Sequence, residues 1–323
     1  MNRVYPDPGS GNRPRPRTVL PGLVAGLLLL LAAFPGSISV AEDPGSRVFS
    51  FTQMVPQLGR EKWVWVYLPP AYAREPGRRF PVLYMQDGQD LFESALAVTG
   101  NAYMDESLGR ELRRQLDWYG SWRLDRRLDQ LFGRQAADGI IIVGISSGEG
   151  NRTAEYSPWP WRAAPYPEGD PYVDFIVGTL KPYIDRQYRT LGGRAFTGIA
   201  GSSMGGVIAL YAALRHPEIF SRVAALSPVL TPGVFGRPLV DYIRRQDRAG
   251  HRLGPMRIYV DLGSAEPGFG PIEPVRDALR GAGFDAEELW FRRIPDGEHR
   301  ITHWGARFPE VLQWLYPPPA RGY

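Results

Sequence analysis

The chain has 323 residues, 43% of them apolar and 22% charged, enough for one large domain with a buried core. Its formal charge of +4 sits mostly ahead of residue 42, where Arg3, Arg13, Arg15 and Arg17 face Asp7 alone. The remainder is nearly neutral and offers no basic footprint for nucleic acid, and the lack of cysteine excludes disulfides, thiolate metal sites and a cysteine nucleophile.

Arg13, Arg15 and Arg17 precede an apolar run over 19–34, and Ser39 and Ala41 follow with one residue between them. A basic segment, an apolar segment and a small-x-small site in that order predict a secretory signal over 1–41, cut after Ala41, and export to the periplasm or the medium. An uncleaved membrane anchor is the alternative reading of the same run. Residues 42–323 are then expected to form one domain that does not insert into a membrane.

Alternating and aromatic-rich runs at 47–54 and 62–68, separated by Gly59 and Arg60, predict a β-hairpin. The continuous apolar runs at 80–85 and 139–145 have the form of buried strands. Helical spacing covers 104–116, 123–132 and 172–188. A strand at 194–199 leads into a helix at 207–215. Short strands follow at 223–226, 257–262 and 288–294, with helices at 271–281 and 302–315. Strands alternating with helices define the α/β class, a mostly parallel sheet covered on both faces, with chemistry expected at the carboxyl ends of its strands.

Two segments fit G-x-S-x-G: Gly201-Ser202-Ser203-Met204-Gly205 and Gly144-Ile145-Ser146-Ser147-Gly148. In the α/β-hydrolase fold the serine of this pattern sits on a strained strand-to-helix turn, and the small residues let strand and helix approach. Ser203 has a strand before it and a small-residue helix after it. Ser146 has the strand, but Gly-Glu-Gly-Asn comes soon after it, so Ser203 is the candidate nucleophile.

A serine hydroxyl needs an imidazole to take its proton, and the imidazole needs a carboxylate to fix its tautomer. Of the four histidines, His216 and His251 come too early for the Ser–acid–His order of this fold. His299 and His303 follow the last strand, and His299, on a loop, is the preferred base. The acid falls on Glu266, in the loop after the strand at 257–262, with Asp261 as its competitor. Two backbone N–H groups should face the developing oxyanion. Met204 supplies one, and Gln89, in the turn after the strand at 80–85, supplies the other. No metal or cofactor is expected: His299 and His303 are four residues apart, but H-R-I-T-H lacks the glutamate of H-E-x-x-H.

Several stretches together resemble the esterase D-like family of α/β-hydrolases, with its enterochelin-type siderophore esterases, feruloyl esterases and mycolyltransferases. They are PVLYMQDGQDLF (81–92), RTAEYSPW (152–159), AGSSMGG (200–206), LRHPEIF (214–220), DLGSAE (261–266) and GEHRITHW (297–304). The resemblance implies Ser203 as nucleophile, Glu266 as acid and His299 as base, with Gln89 and Met204 at the oxyanion. Asp87, Arg152, Trp159 and Trp304 are the candidate substrate-binding residues, for a small-molecule or glycan ester; Arg152 and Trp159 follow the strand at 139–145 at the catalytic end of the sheet. Asp90 stands where Asn is usual, and Gln86 where His is common. The alternatives are an acyltransferase that passes the acyl group to a sugar or lipid alcohol, and a non-catalytic binding protein on the same scaffold. For the loop after the strand at 139–145, an Arg152–Glu155 ion pair is the structural alternative to a pocket wall.

Overall fold

The computed structural model describes residues 48–93, 120–133, 139–147, 150–248 and 255–317. The signal segment expected at 1–41 and the helix expected at 104–116 lie outside these residues. Among the described residues no helix is long and apolar enough to cross a membrane.

Eight strands form one sheet in the order β1-β2-β4-β3-β5-β6-β7-β8. They are β1 (Val48–Val55), β2 (Arg60–Tyr67), β3 (Val82–Gln86), β4 (Ile141–Ile145), β5 (Thr197–Ser202), β6 (Arg222–Leu226), β7 (Arg257–Gly263) and β8 (Leu289–Ile294). The first two make the expected hairpin, and β2 also runs antiparallel to β4. From β4 to β8 every neighbouring pair is parallel. The sheet is thus the mostly parallel one expected, and the carboxyl ends of β3 to β8 share one edge.

Residues alternate between two apolar layers, as the two-residue period of a strand requires. Val82, Tyr84, Ile141, Val143 and Ile145 point into one layer, with Tyr172, Ile208, Leu239 and Val275 from the helices over that face. Leu83, Met85 and Ile142 point into the other, with Leu128, Phe308 and Leu312. β3 and β4 are buried at every position, which is why they read as continuous apolar runs.

Three local differences from the expected elements have simple causes. Residues 194–196 form a 3₁₀ turn closed by the Phe196 N–H on the Gly193 carbonyl, so β5 starts at Thr197 and runs up to Ser202. The stretch 172–188 is helical but opens at Gly169 and contains a π turn at Ile176–Leu180. The helix Arg237–Arg248 was not expected: its sequence is mostly polar, and Leu239, Val240 and Ile243 are the buried positions of a narrow apolar stripe.

Candidate active site

β5 ends in the tight turn that the nucleophile pattern requires. Ser203 has φ 56° and ψ −126°, a conformation that non-glycine residues adopt only at a cost. Its N–H donates to the Leu226 carbonyl at 2.9 Å, tying the turn to β6. A Cβ on Gly201 would stand 2.5 Å from the Gly205 carbonyl oxygen, and one on Gly205 would stand 3.0 Å from the Gln86 Cβ. Strand and helix Met204–Arg215 therefore meet closer than side chains at these two positions allow.

Ser203 Oγ lies 2.9 Å from His299 Nε2. The imidazole is held by two aromatic rings: Phe269 stacks on its face at 3.9 Å between centroids, and Trp304 meets it at 89° and 4.7 Å. His299 Nδ1 faces Glu266 Oε2 at 3.6 Å, longer than a hydrogen bond, and neither atom has another hydrogen-bond partner. The acid and histidine loops meet through glycine backbone. A Cβ on Gly263 would fall 2.1 Å from the Gly297 carbonyl oxygen, and the Ala265 N–H donates to that oxygen at 3.1 Å.

The competing residues are engaged elsewhere. His303 Nδ1 accepts the Glu298 N–H at 3.2 Å and so braces the loop that carries His299. His216 lies against Glu218, and His251 is outside the described residues. Asp261 is fully buried and holds the Arg307 guanidinium through both oxygens, at 2.6 and 2.8 Å. It also accepts from the Ser227 N–H at 2.9 Å and from the Tyr259 hydroxyl at 2.6 Å. Burial, with Asp261 alongside, pushes the Tyr259 phenol up, so it stays a donor.

On the other side of Ser203, β3 leads into Asp87, which has φ 55°, and a 3₁₀ turn over Gly88–Asp90. Met204 is the first residue of its helix and Gln89 lies in this short turn; N–H groups at helix starts have no carbonyl within the helix to bond. The Gln89 side chain is fixed to Ser147: Nε2 donates to Oγ at 2.9 Å, and Oε1 accepts the Ser147 N–H at 3.2 Å. Gly88 abuts β4, where a Cβ would lie 2.6 Å from the Gly144 carbonyl carbon.

Asp87 and Arg152 form a two-point ion pair, at 2.8 and 2.9 Å, and the Tyr156 hydroxyl accepts the Asp87 N–H at 3.0 Å. Arg152 does not pair with Glu155. The buried Glu155 instead takes Lys62 at 2.5 Å and Arg60 at 2.9 Å. Burial lowers the Lys62 ammonium's pKa, against the pull of Glu155. Burial, with Asp87 nearby, pushes the Asp90 carboxyl up to about 7, against Arg152 and Gln89. Trp159 packs against Tyr211 and Tyr242 at 5.3 and 5.9 Å, and the Trp304 indole N–H points at Ser227. Ser203, His299 and Glu266 thus converge, with Met204 and Gln89 in the turns beside Ser203. Asp87 and Arg152 bind each other, and Trp159 sits in an aromatic cluster. Ser227, Phe269, Ser147 and Arg307 were not singled out from the sequence, although Ser227 directly follows a strand at the catalytic edge. Among the described residues no three His, Cys, Asp or Glu side chains gather as a metal-binding cluster.

The profile of the family described as Putative esterase matches residues 56–315. The uncharacterized protein YbbA of Bacillus subtilis is 23% identical over 270 residues, 78% of this chain and 91% of that protein. Among solved structures, a ferulic acid esterase superposes with a TM-score of 0.59 and 22% identity, over 83% of this chain and 99% of its own. The enterobactin esterase FES from Shigella flexneri gives a TM-score of 0.60 and 19% identity, over 83% of this chain and 59% of its own. The chain belongs to the Putative esterase family and is a carboxylic ester hydrolase of the α/β fold.

Proposed function

We propose that the protein is an exported serine esterase that works through an acyl-enzyme on Ser203, with His299 as base and Glu266 as acid. The observation that carries this reading is the 2.9 Å approach of His299 Nε2 to Ser203 Oγ on a positive-φ turn. Ser203 Oγ attacks the ester carbonyl while its proton passes to His299 Nε2. The oxyanion forms between the N–H groups of Met204 and Gln89. As the C–O bond to the alcohol breaks, the imidazolium returns the proton to the leaving oxygen. Water, deprotonated by the same nitrogen, then attacks the acyl carbonyl and releases the acid with Ser203 restored.

Glu266 faces the far ring nitrogen and supplies a negative charge to the imidazolium that forms in each step. The 3.6 Å separation closes to a hydrogen bond as that charge develops. Residues 1–41 direct export, and the mature chain starts at Glu42. The test is labelling with a fluorophosphonate, together with acid release from p-nitrophenyl esters with and without an added alcohol. The esterase reading expects labelling that Ser203→Ala abolishes, and free acid as the product even with alcohol present. Labelling that survives Ser203→Ala would overturn the nucleophile. Transfer to the alcohol as the main product would make the protein a transferase.

A further inference from the structure

Behind the acid lies a hydroxyl whose proton has one place to go. Ser227 Oγ accepts the Trp304 indole N–H at 3.0 Å and an Arg307 guanidinium N–H at 3.1 Å. A serine hydroxyl has two acceptor lone pairs and one proton. With both lone pairs taken, the proton must lie on the third contact, Glu266 Oε1, at 2.9 Å. The other carboxylate oxygen, Oε2, is the one that faces His299 Nδ1. We infer that Ser227 is a positioning residue for the acid: it donates to one oxygen of Glu266 and thereby turns the other toward His299. The inference rests on the proposed triad.

Three further features fit this role better than that of an ordinary turn serine. Ser227 is completely buried, and so is its carboxylate partner at 3% exposure, so the hydrogen bond is shielded from water. It has φ 45°, a conformation glycine would adopt at lower cost, so a side chain is kept where the backbone disfavours one. The arginine that fills one of its lone pairs is itself fixed by two bonds to Asp261. The order runs Asp261, Arg307, Ser227, Glu266, His299, Ser203. This gives Asp261 a place in the site: it anchors the group that sets the direction of the Ser227 proton. The Ser227 N–H, bonded to Asp261 Oδ1, closes the ring from the backbone side.

A donor lost from a charged acceptor is worth about 10- to 100-fold. The test is a double-mutant cycle between Ser227→Ala and Glu266→Gln, read as the rate of fluorophosphonate labelling of Ser203 and as kcat and KM on a p-nitrophenyl ester. Ser227→Ala is expected to slow labelling and kcat by that factor, with KM changed less than about twofold. In the Glu266→Gln background, where no ionised oxygen needs turning, the same change should cost less than about twofold. An undiminished loss in that background would make Ser227 a structural residue and overturn the inference, as would a neutral Ser227→Ala beside a crippled Glu266→Gln. If Glu266→Gln itself leaves labelling unchanged, the proposed acid fails, and that result is visible separately. Should Ser227→Ala not fold, Trp304→Phe leaves an aromatic ring at the position that packs on His299 and removes the N–H into Ser227. It is expected to lower kcat about three- to tenfold, again only with Glu266 present; an equal loss in both backgrounds overturns the inference.

Discussion

The same five-residue pattern occurs twice at the catalytic edge of the sheet, once from the end of β5 and once from the end of β4, and the fold uses the two copies differently. After β5 the chain turns through Ser203 at φ 56° into a twelve-residue helix, which leaves the hydroxyl facing His299. At the end of β4 the chain lies beside the hairpin. Ser146 exchanges hydrogen bonds with this neighbour: its N–H donates to the Trp63 carbonyl, and its Oγ accepts the Trp63 N–H at 3.0 Å. The next serine holds the Gln89 amide. The glycines differ as well. Gly201 and Gly205 allow strand and helix to touch, whereas Gly144 makes room for Gly88 of the proposed oxyanion turn. Each serine's neighbours set its use: the helix that follows aims Ser203 at His299, and the hairpin beside β4 pairs Ser146.

The sharpest break of this comparison is also the largest effect. Ser203→Ala is expected to lower kcat by about 10⁴-fold or more, as loss of a triad nucleophile does. Ser146→Ala is expected to keep most of the activity and to lower stability by about 1 kcal/mol, the worth of one hydrogen bond. Ester turnover and urea melts on both variants decide it, and a larger activity loss at Ser146 reverses the assignment.

The second copy also carries a packing role, which Gly144→Ala tests. The added Cβ would stand 2.9 Å from the Leu91 Cδ1 and 3.0 Å from the Gly88 Cα, so the turn bearing Gln89 must move outward. Displacements of this kind cost about 1–3 kcal/mol in a packed core. Because the turn is proposed to hold an oxyanion donor, kcat should fall about tenfold while KM changes little. A variant destabilised to that extent with kcat unchanged would separate the packing from the chemistry.

Much of this was legible in the sequence because it is local. A strand, a serine between small residues and a small-residue helix are read within a short stretch of chain. His299 and Glu266 could be ordered by their place after particular strands. The acid's environment was not legible, since Ser227 meets Trp304 and Arg307 across 77 and 80 residues of sequence. Neither was the pairing of Arg152. Glu155, three residues on, takes the buried Lys62, and Arg152 pairs with Asp87. The helix Arg237–Arg248 escaped because three buried positions are too few for a recognisable period.

A smaller effect is expected at Ser147. Ser147→Ala removes the hydroxyl that accepts from Gln89 Nε2 and leaves the backbone N–H that donates to Oε1. One of two contacts remains, so the turn should loosen rather than collapse, with kcat down about three- to tenfold, the equivalent of roughly 1 kcal/mol. Ser147→Thr, which keeps the hydroxyl, should recover the loss; if it does not, the contact with Gln89 is incidental.

The smallest effect concerns the residue after Gln89. Asp90 is half-buried, and burial together with the neighbouring Asp87 pushes its carboxyl up to about 7. An unfolded aspartate ionises near 4, at about 3.9. Between those two values the folded chain holds a proton that the unfolded chain has released, so stability from this group is full below about pH 4 and is lost as pH rises through about 7. Asn keeps the shape and never ionises. Asp90→Asn is therefore expected to match the wild-type melting temperature at pH 4 and to exceed it at pH 8. A gain of about 2–4 °C corresponds to roughly 1 kcal/mol in a domain of this size. That is well below what the full displacement of the carboxyl would suggest, because solvent reaches part of the side chain. Melting curves of both proteins from pH 4 to 8 check it: a difference that stays constant across the range would mean that Asp90 does not ionise within it.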